Sequence, residues 1–262
     1  MMPKPRTPFI AGNWKMNLNL GQAHGLAAAV VRSSGGYGGA EVVLIPPFTS
    51  LDEVRRVIDG TPVKLGGQNC HWEDKGAFTG EVSASMLKEA GCRYVVIGHS
   101  ERRQYFGEID ASVNKKLRAA LKHGLTPIFC LGETLDERDK GQTEARVTSQ
   151  LAGGLEGLTD EEFSQIVIAY EPVWAIGTGK SATPGQAEEV HALIRDKLAK
   201  KYGNGLAAYA ILLYGGSAKP DNAFSLTQEK NIDGFLVGGA SLEADSFISI
   251  IKEANNAQKV KK

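Results

Sequence analysis

Cysteine is scarce and poorly placed for pairing. The 262 residues hold three, Cys70, Cys92 and Cys130, with no CxxC spacing. That excludes a disulfide framework and a clustered zinc site, and the expectation is free thiols in a reducing cytoplasm. Net charge is absent too: 30 basic residues balance 30 acidic ones. A broad electrostatic surface for nucleic acid or membrane is therefore not expected. No apolar run is long enough to span a bilayer, and the proline-rich start, Met1–Pro8, lacks the apolar stretch of a secretory signal. The partners expected are small molecules, with no nucleic acid, membrane, metal or cofactor.

What is present is ordinary in composition, 42% hydrophobic and 23% charged, and rich in glycine, with 31. A chain of this length buries most of its unfolded surface without staples. Short β-branched runs alternate with amphipathic stretches. The expected strands are Phe9–Gly12, Val42–Ile45, Val63–Gly66, Tyr94–Ile97, Thr126–Cys130, Ile166–Tyr170, Tyr209–Leu213 and Gly234–Val237. Most are unbroken apolar runs, the pattern of parallel strands buried on both faces.

Between them lie helical patterns. Val113, Leu117 and Leu121 share a face, as do Ala187, Val190, Ile194 and Leu198. Thr183-Pro184 with Gln186 reads as a capped helix start, and Asp110 as another cap. Phe247, Ile248 and Ile251 suggest a closing helix. Eight βα repeats without a linker point to one (β/α)8 barrel domain over residues 1–262, in preference to a doubly wound open sheet. Residues 1–7 and 256–262 are expected to fray.

Barrel chemistry sits at the C-terminal ends of strands. Here those ends read Gly12-Asn13-Trp14-Lys15, Gly98-His99-Ser100-Glu101-Arg102, Tyr170-Glu171-Pro172, Gly215-Gly216-Ser217 and Gly238-Gly239. Singly, each has an ordinary explanation as a loop residue, a solvated strand end or a structural histidine. Jointly they favour function, because a barrel gathers them around one axis. Glycines 177, 215, 216, 238 and 239 can bring backbone N–H groups close to an anion, and the loops after strands seven and eight commonly bind phosphate. A phosphate beside a lysine, a histidine and a carboxylate suggests acid–base chemistry on a phosphorylated metabolite.

Three other motifs carry less. Gly179-Lys180-Ser181 resembles the end of a P-loop, but Trp174 stands where its first glycine belongs. Gly177-x-Gly179-x-x-Ala182 matches a dinucleotide fingerprint, yet no helix starts directly behind it. Glu188-x-x-His191 is half of a di-iron motif without its second copy, and reads as a surface pair on a helix.

Several stretches together resemble the triosephosphate isomerase family: Asn13-Trp14-Lys15-Met16-Asn17, the run Gly98–Arg103, the run Ala169–Gly179, Tyr214–Ser217 and Gly234–Ala240. The likeness runs from about Phe9 to Ile251. It implies a TIM barrel and a cofactor-free isomerase that interconverts dihydroxyacetone phosphate and D-glyceraldehyde 3-phosphate through an enediolate. That family is itself the standard worked case of such chemistry under a lid. The resemblance implies Glu171 as the proton-shuttling base and His99 as a neutral electrophile. It implies Lys15, assisted by Asn13, as the charge stabiliser, and Glu101 as organiser of Lys15. Gly177, Ser217, Gly238 and Gly239 would donate N–H groups to phosphate, and Pro172–Lys180 would form the lid. Ser181 at the lid's far hinge and Ala218 after Ser217 depart from the commoner residues of the family.

The loop His71–Gly80 carries Trp72 and Phe78 among glycines, and an exposed aromatic pair there reads as an interface. In the family it inserts into a second subunit, so the resemblance implies a homodimer through the loop around Thr79. Other readings are a phosphosugar aldolase forming a Schiff base on Lys15, a dinucleotide-binding protein, or a barrel acting only as a surface-exposed binding protein.

Overall fold

In a computed structural model of the chain, residues 6–176 and 181–261 are described. Eight parallel strands close in sequence order into a barrel: β1 (Phe9–Asn13), β2 (Glu41–Ile45), β3 (Lys64–Gly67), β4 (Tyr94–Ile97), β5 (Thr126–Leu131), β6 (Val167–Tyr170), β7 (Leu212–Tyr214) and β8 (Gly234–Val237). The helices between them are α1 (Leu20–Arg32), α2 (Leu51–Ile58), α3 (Ala84–Glu89), α4 (Ser100–Tyr105), α5 (Asp110–Lys122), α6 (Leu135–Asp139), α7 (Thr143–Gly154) and α8 (Asp160–Phe163). They continue with α9 (Pro184–Tyr209), α10 (Pro220–Gln228) and α11 (Ala244–Lys261).

Two apolar layers hold this together. Phe9, Ala11, Val43, Ile45, Tyr94, Val96, Ile128, Cys130, Val167, Ala169, Leu213 and Leu236 fill the barrel interior. The alternate residues of the same strands, such as Ile10, Leu44, Val95 and Phe129, pack outward against the helices. Burial on both faces explains why the strand sequences do not alternate in polarity.

The seam between β8 and β1 closes the barrel through Phe9↔Gly234, Ile10↔Phe235, Ala11↔Leu236 and Gly12↔Val237. It tolerates no side chain at its start: a Cβ on Gly234 would lie 2.0 Å from the Phe9 carbonyl oxygen, and φ there is 153°.

The expected barrel is therefore present, with local differences. β7 begins at Leu212 rather than Tyr209. The helix before it breaks at Gly203 (φ 82°), turns again and ends at Tyr209, taking up the first residue of the expected strand. The Thr183 cap forms as expected, its hydroxyl accepting from the Gln186 N–H at 3.2 Å while Gln186 Oε1 accepts from the Thr183 N–H at 3.0 Å. At α5 the cap position falls on Ile109, whose N–H donates to Ser112 Oγ at 3.0 Å. Asp110 instead binds Arg103 at 2.6 Å.

The chain ends correct another expectation. Among the described residues, 256–261 belong to α11 and not to a loose tail: the helix continues to Lys261, whose Nζ donates to the carbonyls of Thr227 at 3.0 Å and Ile232 at 3.2 Å and to that of Glu229. At the other end Arg6 pairs with Asp233 at 3.1 Å, although residues 1–7 were expected to be loose. His191 is no surface residue either. It is fully buried, its Nδ1 3.0 Å from the Ala187 carbonyl, and burial pushes its pKa down to about 3.

The seam makes a direct prediction. Gly234→Ala should destabilise the chain by about 3 kcal/mol or more, because the added methyl must displace backbone rather than a side-chain tip. Urea unfolding of purified variant and native chain would measure it, and a midpoint within error of native would contradict it.

Candidate active site

The strand ends converge on one mouth. A cavity of about 350 Å³ opens there, its lining including Asn13, Lys15, His99, Ser217, Gly238 and Gly239, with Ala175 and Ile176 from the turn after β6. Gly177 lies outside the described residues, as do 178–180 of the expected lid.

Lys15 is placed by strain and by clamps. Trp14, fully buried, turns the chain inward, and Lys15 itself takes φ 52°, a left-handed conformation costly for a residue with a Cβ. Its N–H donates to Asn13 Oδ1 at 3.0 Å. Its carbonyl accepts from Gln68 Nε2 at 2.7 Å, and the same amide donates to the Ile45 carbonyl at 3.1 Å. The ammonium then reaches Glu101 Oε1 at 2.5 Å. It passes over Gly238, where an added Cβ would lie 3.4 Å from Lys15 Cε and 3.8 Å from Nζ. A helical turn starts at Gly239, and the first N–H groups of such a turn have no partner within it.

Opposite stands Glu171, 1% exposed at the end of β6. Two donors from α4's start hold it. His99 Nε2 lies 2.9 Å from Oε1, and the Ser100 N–H donates to Oε2 at 2.8 Å. His99 is the N-cap of α4, and its Nδ1 accepts the Glu101 N–H at 3.2 Å. That bond leaves Nδ1 without a proton, so the neutral ring carries its hydrogen on Nε2, facing Glu171 and the cavity. Burial raises the Glu171 pKa, but His99 beside it, the Ser100 N–H and Lys15 outweigh burial and hold it below the ordinary value. For His99, burial lowers the pKa, while Glu171 first and then Glu101 raise it and prevail. The upward pull from Glu171 lasts only while Glu171 lies against Nε2.

Glycine makes this packing possible at two points. A Cβ on Gly132, after β5, would fall 1.8 Å from the Glu171 carbonyl oxygen, and one on Gly215 would fall 2.8 Å from Glu171 Cγ. The Glu171 side chain thus borders space that only a missing side chain provides.

Two further polar groups shape the mouth and were not foreseen from sequence. Gln68 is the clamp just described. Glu133 is fully buried and accepts from Tyr170 Oη at 3.0 Å, Trp174 Nε1 at 2.9 Å and Arg138 Nη1 at 3.1 Å. Its carbonyl accepts from the Val173 N–H at 3.0 Å. Glu133 thereby ties the short turn after Pro172 to the end of β5. The signal for it was weak: a Gly-Glu pair after an apolar strand, the same pattern that drew attention elsewhere.

Chemically, the cavity offers an imidazole N–H, a lysine and glycine backbone, with the Glu171 carboxylate buried just behind His99. Lys15 Nζ is engaged by Glu101 Oε1 at 2.5 Å instead of standing free as the nucleophile of a Schiff base. The P-loop reading is not supported either, since α9 begins only at Pro184.

Comparison with known proteins agrees with this arrangement. Residues 8–254 match the sequence family described as Triosephosphate isomerase. The triosephosphate isomerase of Chloroflexus aurantiacus is 53% identical over 246 residues, covering 94% of this chain and 98% of that protein. That of Rhodopirellula baltica is 52% identical over 252 residues, covering 96% and 99%. The crystal structure of triosephosphate isomerase from Bartonella henselae superposes with a TM-score of 0.85 at 44% identity, over 94% of this chain and 98% of that one.

The site gives a prediction for acid stability. Because the folded state lowers the Glu171 pKa, its carboxylate stabilises the fold above the ordinary value of 4.5, and that contribution is lost as pH falls through the lowered one. Glu171→Gln should therefore show a shallower loss of stability on acidification below 4.5 than the native chain, measured by urea unfolding at several pH values. Parallel acid limbs would contradict it.

Proposed function

The chain belongs to the triosephosphate isomerase family and interconverts dihydroxyacetone phosphate and D-glyceraldehyde 3-phosphate, and on that premise we propose how its own residues perform the transfer. The observation that carries the proposal is the carboxylate of Glu171 held against His99 Nε2 beside a lysine and a glycine-lined cavity.

The substrate phosphate sits at Ser217, Gly238 and Gly239, where helical-turn N–H groups and the Lys15 ammonium favour an anion. Gly177, beyond the described residues, is proposed as a further donor. The carbonyl end then lies toward His99. Substrate oxygens take the Nε2–H that Glu171 occupies in the empty site, and the released carboxylate faces the carbon between them. Glu171 removes a proton from one carbon and returns it to the next. His99 Nε2 gives its proton to the carbonyl oxygen and takes one back from the neighbouring hydroxyl oxygen, so the two oxygens exchange roles, and Lys15 and Asn13 stabilise the negative charge of the enediolate. Glu101 acts as a positioning residue, holding Lys15 through its carboxylate and His99 through its N–H. A positioned base contributes roughly 10²–10⁴-fold, and a preorganised donor to a developing oxyanion about 3–4 kcal/mol.

The proposal includes a cytoplasmic, single-domain protein acting as a homodimer through the loop around Thr79. The three cysteines are buried free thiols, in keeping with a reducing compartment, and no helix among the described residues is long and apolar enough to cross a membrane. In the Thr79 loop, His71 is layered between Trp72 and Phe78 with ring centroids 4.2 and 4.3 Å away. Phe78 is 42% exposed at its tip, and Met16, beside Lys15, is 94% exposed. Apolar groups so exposed next to a site favour a covering partner.

Glu171→Gln should lower kcat by at least about 10²-fold while leaving competitive inhibition by a phosphate-bearing substrate analogue within about threefold of native, since the phosphate contacts are untouched. A variant with near-native kcat would remove Glu171 from the base role. Sedimentation velocity should show a dimer, and Thr79→Arg should give a smaller species with reduced kcat. A native chain sedimenting as a fully active monomer would contradict the dimer.

A further inference from the structure

A second polar cavity, of about 340 Å³, opens at the opposite end of the barrel, lined by Arg6, Gln228, Lys230, Asp233, Gln258 and Lys261. Its walls come from three places far apart in sequence: the segment before β1, the turn between α10 and β8, and the end of α11. All three meet at the N-terminal ends of β1 and β8, away from the mouth that holds Glu171.

The charge there is one-sided although the whole chain is neutral. Asp233 is buried and its carboxylate is already engaged. Oδ1 lies 3.1 Å from Arg6 Nη1, and Oδ2 lies 3.2 Å from Arg195 Nη2 and accepts the Leu212 N–H at 2.9 Å. Glu188, the next carboxylate inward, is bound to Asn231 at 2.9 and 2.6 Å. Against these stand Arg6, Arg195, Lys230 and Lys261. Burial lowers the Lys261 pKa, and the positive charges of Arg6 and Arg195 lower it further, against Asp233 and Glu188. Four basic side chains thus stand around two carboxylates that are already engaged.

Donors remain for a ligand. Lys230 is exposed, and its ammonium has no ion pair or hydrogen bond among the described residues; only its backbone carbonyl is used, by Arg6 Nη2 at 3.3 Å. Gln258 and Gln228 each spend one amide hydrogen on backbone, at 3.2 and 2.7 Å, and keep the other. Lys261 spends its hydrogens on carbonyls and supplies charge alone. The volume reaches the lower range of small-ligand sites, about 300 Å³ upward. Cations on three separate elements suit an anion long enough to meet more than one of them.

We propose that this cavity binds a small polyphosphate anion, of at least two linked phosphoryl groups, between Arg6 and Lys230 over the end of Lys261. The anion bridges the N-terminal segment, the α10–β8 turn and α11, so its binding also fastens both ends of the chain to the barrel.

The test uses magnesium-free pyrophosphate and the full chain. Calorimetric titration should find two pyrophosphates per native chain, while steady-state kinetics finds only one of them competing with substrate. Lys230→Glu should weaken the non-competing site at least tenfold and leave the inhibition constant at the mouth unchanged. Lys230→Ala should weaken it less, and circular dichroism would confirm that both variants fold. Orthophosphate should bind the same site at least tenfold more weakly than pyrophosphate. One pyrophosphate per native chain, or a second site indifferent to Lys230→Glu, would overturn the proposal. Equal affinity for orthophosphate would overturn the requirement for two phosphoryl groups. None of these readouts depends on the roles assigned to Glu171, His99 or Lys15.

Discussion

A charged carboxylate held almost out of water is the constraint around which this molecule is organised. An unpaired buried carboxylate costs several kcal/mol and would take up a proton instead. Glu171 escapes that outcome because the start of α4 turns two donors toward it, the His99 ring and the Ser100 N–H. Those donors are in place because the closed barrel brings the loop after β4 within reach of the end of β6, across the intervening β5. The backbone approaches closely enough only because residues 132 and 215 are glycine. Removing any one of these would leave a neutral acid or an open gap where a base is needed.

The same economy of donors links the empty site to the reaction. While no substrate is bound the Ser100 N–H donates to Glu171 Oε2, and Oε1 lies 2.9 Å from His99 Nε2 without a well-aligned hydrogen bond, so the Nε2–H is open to exchange for a substrate oxygen. In the proposed mechanism, binding exchanges one acceptor for another at His99 and frees a carboxylate whose charge has lost part of its support, which raises its basicity as the chemistry begins. Lys15 faces no such exchange. Its strained backbone, the Gln68 clamp and the Glu101 pairing fix the ammonium in advance, the preorganisation that stabilises a developing negative charge without reorganisation.

Much of this was legible in the chain. Mostly apolar runs marked the eight strands, and β4 and β8 have the expected bounds, because strands buried on both faces leave little room for polar residues. Asn13, Lys15, His99, Glu101, Glu171, Ser217, Gly238 and Gly239 stood out as polar residues and glycines at strand ends, and the barrel does bring them around one mouth. What stayed hidden depended on partners distant in sequence. Gln68 gains meaning only from carbonyls at 15 and 45, and Glu133 only from Tyr170 and Trp174. Gly132 matters for the backbone of Glu171 and not for any local turn. The C-terminal helix looked like a polar tail because nothing nearby in sequence shows that Lys261 reaches three carbonyls of another segment. β7 was displaced because Tyr209–Ile211 is apolar whether it closes a helix or opens a strand, and the helical turn that follows the Gly203 break takes up Tyr209.

The central claim is that one carboxylate, Glu171, carries a proton between neighbouring carbons. The most direct measurement is the entry of solvent deuterium into product when dihydroxyacetone phosphate is converted in heavy water by the native chain and by Glu171→Gln. The account predicts deuterium at the carbon that receives the proton in the native reaction, and a fall in deuterium entry that parallels the fall in turnover in the variant. Deuterium entry at a near-native rate without the Glu171 carboxylate, or native product free of deuterium, would contradict it.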